Sequence, residues 1–292
     1  MILGLKKEQV LPEDIAEENE LTSHMAANAA KDALKDANLS ASDIDAIIVA
    51  TTTPDRVFPS VAVMVQNIIG ANTTSFAFDV QAVCSGFIYA LATADSMIKS
   101  GQCKNILVIG AEKMSNILDW NDRGTCVLFG DGAGAVILSA NNDEKSNSNI
   151  LNHTLYSDGS LQDILYVNGG VGLSKSSGII KMEGKTLFKH AVDKLSNAIN
   201  DCLRKENLTK DDINVFIPHQ ANIRILQQVA TKIGISDDKI IITVEDHANT
   251  SAASIPLALN YTKKSNMIIK GDVLLLAAIG GGLTWGATLI RW

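Results

Sequence analysis

The 292-residue chain exceeds the roughly 100 to 200 residues of a single domain, so a double-core architecture is expected. Hydrophobic residues make up 46% and charged residues 20%, an ordinary globular composition that excludes a disordered or fibrous chain. The net charge of -7 opposes non-specific attachment to nucleic acid or anionic lipid, and no long Lys/Arg run makes a local exception.

Along the chain, the N-terminus meets charge at once in Lys6 and Lys7, so it carries no signal-peptide core. Residues 42–49 (SDIDAIIV) predict a buried strand, and Ser60 to Gly70 predicts a helix with Val61, Val65 and Ile68 on its apolar face. Phe76 to Val80 predicts a strand, and the small-residue run beginning at Cys84 opens a helix stopped by Gly101. Asn105 to Gly110 predicts another strand, followed by a Gly-rich turn and an apolar strand in LFGDGAGAVILSA. The string from Gly130 to Gly134 looks like a nucleotide loop, but a strand and not a helix follows it, so it is read as a structural turn.

From residue 211 the series runs again. DDINVFIP predicts a strand, Asn222 to Gly234 a helix, Ile240 to Val244 a strand, NTSAASIPLALNYTKK a helix, and Asp272 to Ala278 a strand before the Gly-rich closing strand. A repeat this long implies two related α/β halves rather than a solenoid. The polar stretch 141–150 marks the seam, dividing the chain into 1–150 and 151–292, and the Gly/Ser-rich region 153–184 is read as irregular and site-covering. Nothing reaches the roughly 20 apolar residues of a membrane helix. Four cysteines without a CxxC pair fit reduced thiols in a cytoplasmic protein, and His24, His153 and His190 lack metal-ligand spacing.

Three polar groups at predicted strand ends stand out. Cys84 lies at a helix start, where the dipole favours thiolate, although position alone fits an inert core cysteine better. His219 alone reads as a structural histidine and Asn249 alone as a helix cap. Together, in matching turns of two related halves, they form a constellation where α/β folds bind ligands. The glycines 280–282 make a tight turn or supply an oxyanion N–H.

The strings DVQAVCSGF around Cys84, IPHQAN at 217–222, HANTSAASIP at 247–256 and IGGGLTWG at 279–286 resemble the β-ketoacyl-acyl carrier protein synthase III family. The likeness runs from about Ile15 to Trp292. It implies a thiolase-like fold in α-β-α-β-α layers, a homodimer, and a Cys84, His219, Asn249 triad. It further implies decarboxylative condensation of a short acyl-coenzyme A with malonyl-acyl carrier protein, without a resident cofactor. By the same resemblance the N–H groups of Cys84 and Gly281 form the oxyanion hole, and Phe58, Arg123, Asn222 and Ile279 contact the acyl donor. Gln220, Arg224 and Lys232 are assigned to the carrier protein. Related elongating enzymes place a second His where this chain has Asn249. Family members begin with a Gly-containing strand and a segment bearing Trp and Arg; MILGLKKEQVLPED is too short for these, with Ile2, Leu3 and Gly4 as a remnant. One sheet edge and part of the donor site are therefore expected to be incomplete. Two rival readings remain at this point. A cysteine hydrolase shares the order Cys, His, Asn at the papain-like interval of roughly 130 to 150 residues but lacks its local signature. The other rival is a non-catalytic acyl-binding scaffold.

Overall fold

A computed structural model describes residues 5, 6, 9, 10, 15–17, 19–141 and 148–292. Leu5–Lys6 (β1) and Gln9–Val10 (β2) pair antiparallel. Thr22–Ala37 (α1) buries Met25, Ala26, Ala27, Ala30 and Leu34, which recur at helical spacing, and stops at Asn38 in the left-handed conformation. Ala46–Ala50 (β3) is apolar and buried throughout, as a central parallel strand requires. Val61–Ile69 (α2) starts where Ser60 accepts from the Val63 N–H and the Asp79 carboxylate accepts from the Val61 and Ala62 N–H groups at 2.8 Å each. Phe76–Val80 (β4), Gly86–Lys99 (α3), Asn105–Lys113 (β5) and Asp131–Ser139 (β6) follow.

The second series opens with Asn149–Ser157 (β7), the hairpin strands Leu165–Val167 (β8) and Ile180–Met182 (β9), and Gly184–Lys205 (α4). Val215–Pro218 (β10), Ile223–Ile233 (α5), the single turn Val244–His247 (α6), Ser254–Lys264 (α7), Val273–Gly280 (β11) and Thr284–Arg291 (β12) complete it. Among the described residues the strands form two four-stranded sheets, ordered β4-β3-β5-β6 and β10-β11-β12-β7. β3 runs parallel to β4 and β5, and β10 runs parallel to β11; β6, β12 and β7 add antiparallel.

Because side chains alternate across a strand, neighbouring residues feed different cores. Ile47 and Val49 face α1 and α2, while Ile48 faces α3 and α7; Leu275 faces α4 and α5, while Leu274 and Leu276 face the central helices. The layers are therefore helix, sheet, helix, sheet, helix. Each wholly buried Ile, Leu or Phe contributes roughly 1.5 to 3 kcal/mol, so these three cores dominate stability. Close approach of the central layer needs a glycine: a Cβ on Gly110 would lie 2.2 Å from the Ala252 carbonyl oxygen.

Several expectations change. Ile240 to Val244 is not a strand; Ile240 makes one isolated bridge to Phe216, and α6 begins at Val244. The Gly-Asp-Gly-Ala-Gly string is not a turn either. Its last four residues open β6, where the buried Asp131 carboxylate accepts from Ser115 Oγ at 2.6 Å and from the Ala16 N–H at 3.0 Å. Residues 153–157 belong to the regular strand β7, so the irregular stretch begins later. On the side of β12 where the second sheet adds β7, no strand among the described residues pairs with the equivalent edge of β6. A cavity of about 990 Å³ runs along that edge between α1, α3 and α7. Ile2, Leu3 and Gly4 lie outside the described residues.

Candidate active site

The carboxyl ends of β3, β4, β5, β10 and β11 point to one region between the halves, the usual place for a site in an α/β sheet. After β4 the chain turns through Val83–Ser85 into α3 and carries Cys84, which is 4% exposed, to the wall of a cavity of about 890 Å³. Thr52, Val57, Met114, Ile117 and Phe129 line it from the first half, and Leu165 to Ile180, on and around the β8–β9 hairpin, line it from the second. That hairpin is the part of the expected covering region that reaches the cavity.

Cys84 is no ready thiolate. Burial pushes its thiol up to about 12, the Glu112 charge adds to the rise, and only the neighbouring Ser251 side chain and its own N–H oppose it. The helix start is outweighed because the sulfur is enclosed, so the resting group is a thiol. A Cβ on Gly280 would lie 2.6 Å from the Cys84 nitrogen, so only glycine lets β11 run beneath the nucleophile. Gly281 follows directly, against the Leu165 carbonyl.

His219 follows β10 and is buried. Burial pulls its imidazole down to about 3, so the ring is neutral at ordinary pH. Nδ1 lies 2.7 Å from Ser254 Oγ, and Ser254 Oγ accepts the Gln220 N–H at 3.3 Å. Nδ1 is therefore engaged by Ser254, and among the described residues Nε2 has no protein partner. Asn249 bridges Phe129 across the seam, its N–H donating to Leu128 O at 3.0 Å. Its Oδ1 accepts the Ser251 N–H at 3.0 Å, and among the described residues its Nδ2 has no partner. Asn249 Nδ2 is therefore an open N–H donor, and His219 Nε2 is the ring nitrogen left open to a bound group. The Ser251 side chain acts on the Cys84 thiol, and the Ser251 N–H is held by Asn249, so the nucleophile adjoins the Asn249 segment.

The other expected residues divide. Gln220 is completely buried: Nε2 donates to Pro218 O and Ile241 O at 2.8 and 3.1 Å, and Oε1 accepts from Thr243 N and Val244 N at 2.7 and 3.1 Å. It cannot meet a carrier protein; it pins the turn after β10. Ile279 packs in the core beneath α4 and α5 rather than on the acyl cavity. Asn222 caps α5, accepting the Arg224 N–H at 2.9 Å. Lys232 is engaged by Asp193, whereas Arg224 is exposed. Phe58 is 82% exposed and lines no part of the chain's own cavity. Arg123 is exposed on the loop before β6 and also lies off the cavity wall, where Arg56 and Lys175 supply cations instead. Glu112, Ser251 and Ser254 were not singled out from sequence, although both serines stand inside the HANTSAASIP string.

The 3-oxoacyl-[acyl-carrier-protein] synthase III model matches residues 78–159, and the corresponding C-terminal model matches residues 203–292. The β-ketoacyl-[acyl-carrier-protein] synthase III of Ehrlichia canis is 53% identical over 287 residues, which are 98% of this chain and 89% of that protein. The chain belongs to the β-ketoacyl-acyl carrier protein synthase III family. The enzyme of Rhodobacter capsulatus is 54% identical over 279 residues, 95% of this chain and 86% of its own. Among solved structures, the family member from Aquifex aeolicus superposes with a TM-score of 0.90 at 47% identity, covering 95% of this chain and 86% of that one. The layered architecture is the thiolase fold of this family, and the papain-like alternative falls with it.

Proposed function

We propose that the chain is an acyltransferase that condenses a short acyl-coenzyme A, acetyl-coenzyme A in the simplest case, with malonyl-acyl carrier protein and so initiates fatty acid synthesis. The observation that carries this reading is a buried cysteine on the cavity wall, beside the Ser251 segment whose N–H holds Asn249 Oδ1 at 3.0 Å. Cys84 attacks the thioester carbon, the new S–C bond forms, and coenzyme A leaves as its thiol. Malonyl-carrier protein then loses carbon dioxide, and the enolate oxygen accepts hydrogen bonds from His219 Nε2 and Asn249 Nδ2. The enolate carbon attacks acyl-Cys84, which releases the β-ketoacyl-carrier protein and regenerates the cysteine. The oxyanion of the first step is assigned to the N–H groups of Cys84 and Gly281. The sequence needs no electron carrier or metal.

Residues 1–150 supply the nucleophile and residues 151–292 supply His219 and Asn249 in this account. We assign the carrier-protein contact to Arg224, which is exposed in the first turn of α5, and give Lys232 a smaller part because Asp193 already neutralises it. Arg123 and the cavity cations Arg56 and Lys175 are assigned to the phosphates of coenzyme A. A homodimer is supported by the outer edge of β4, which pairs with no strand among the described residues, and by exposed Val57, Phe58 and Phe76 nearby in sequence. Phe58 would then complete the partner's acyl pocket. No helix among the described residues is long and apolar enough to cross a membrane, and a cytoplasmic location is proposed with the rest. Incubation with acetyl-coenzyme A and malonyl-carrier protein should give acetoacetyl-carrier protein by mass; carrier protein returned only as malonyl or hydrolysed forms would reject the reading.

A further inference from the structure

The reaction above gives no role to the buried carboxyl beside the nucleophile. Glu112, near the end of β5, is completely enclosed. Its Oε2 accepts from Thr53 Oγ1 at 2.6 Å and from the Thr52 N–H at 3.0 Å, and its Oε1 accepts from Ser251 Oγ at 3.0 Å. Thr51 and Thr52 hydroxyls complete the cradle at 3.3 and 3.0 Å. So many donors around one carboxyl favour its ionised form, whereas burial pushes the group up. The balance gives an acceptor of greater proton affinity than an exposed carboxylate.

Ser251 adjoins both Glu112 and Cys84: its hydroxyl donates its one proton to Glu112 Oε1 at 3.0 Å, which leaves its oxygen lone pairs free to accept from the neighbouring thiol. The backbone is held in sparsely populated conformations on both sides of that contact. Val83 has φ 48°, unusual for a β-branched residue, and Ser251 has φ 50°. Strain of this kind persists only where surrounding structure over-determines it, and it concentrates at functional sites. His219, meanwhile, is a poor acceptor for the thiol proton. Burial pulls its imidazole down to about 3, and its Nδ1 is engaged by Ser254 Oγ at 2.7 Å.

We propose that Glu112, acting through Ser251, is the positioning residue that takes the Cys84 proton during self-acylation. The inference rests on the acylation reading above. As the sulfur attacks the acyl carbon, the thiol proton passes to Ser251 Oγ and the serine's own proton passes to Glu112 Oε1. The bond from the acyl carbon to coenzyme A breaks, the proton returns through Ser251 to the departing thiolate, and Glu112 ends ionised. Decarboxylation of the malonyl group does not use this path, because it depends on His219 and Asn249.

The test follows the steps separately in the parent, Glu112→Gln, Ser251→Ala and the double variant. Cys84 alkylation by iodoacetamide and acylation by acetyl-coenzyme A report the thiol; carbon dioxide release from malonyl-carrier protein reports the other step. Each single variant should slow both thiol readouts at least about tenfold, the size expected of a lost proton acceptor. The double variant should be no slower than the slower single one, as expected for two members of one relay. Carbon dioxide release should stay within about threefold, since its donors are untouched. Thiol rates near the parent's, or equal losses in both steps, would overturn the relay. If Glu112→Gln fails to fold, Ser251→Ala decides alone, because it leaves the carboxyl and its threonine donors in place. A parent that alkylates with the expected Glu112 dependence but takes no acyl group would reject the substrate reading and keep the relay.

Discussion

Replacing Gln220 by Ala separates a structural role from a docking role at one position. The side chain satisfies two backbone carbonyls and two backbone N–H groups, all in a region without exposure. Removing it strands four buried polar groups, each worth about 1 to 3 kcal/mol when left unpaired, although water entering the new space recovers part. The net loss should be about 3 to 5 kcal/mol, a large fraction of the roughly 5 to 15 kcal/mol that stabilises a folded protein. Urea unfolding followed by circular dichroism should show the midpoint falling sharply with little change in slope. An unchanged midpoint with a raised KM for malonyl-carrier protein would refute the reasoning and return Gln220 to the docking surface.

Further outcomes follow from the same geometry. Arg224→Glu should raise the KM for malonyl-carrier protein and leave acylation by acetyl-coenzyme A intact, while Lys232→Ala should do less because Asp193 already holds that ammonium; steady-state kinetics with each substrate checks both. His219 should make stability pH-dependent. Its folded value near 3 lies below the roughly 6.5 of the unfolded chain, so the contribution is complete above about pH 6.5 and is lost as pH falls toward 3. His219→Gln should flatten that acid slope in urea titrations by a few kcal/mol in total. Gly110→Ala places a Cβ against the Ala252 carbonyl and should cost about 3 kcal/mol or more, read as a lowered thermal midpoint.

What the sequence reveals depends on how local the cause is. β4 and the matched pair β3 and β10 are readable because apolar runs and turn residues act within a few positions. Ile240 to Val244 has the same local pattern, yet only Ile240 finds a partner, and the Thr243 and Val244 N–H groups are taken by Gln220 instead of a ladder. Gly132 and Gly134 suggest a turn, but they belong to β6, where a Cβ on Gly134 would meet Pro256 and Leu257 of α7 at 2.9 Å. Cys84, His219 and Asn249 were visible as residue types in matching turns. The protonation of Cys84 was not, because burial is a tertiary property that overrides the helix start. Glu112 escaped notice for the same reason: a glutamate ending an apolar strand acquires meaning only when Ser251, far along the chain, closes on it.

The central claim is that Cys84 carries an acyl group between two half-reactions. Intact-protein mass after mixing with acetyl-coenzyme A, with Cys84→Ala alongside and a chase of malonyl-carrier protein, tests it most directly. The account predicts one acetyl adduct that requires Cys84 and disappears in the chase as acetoacetyl-carrier protein forms. An adduct that persists in Cys84→Ala, or no adduct with any acyl-coenzyme A, would contradict it.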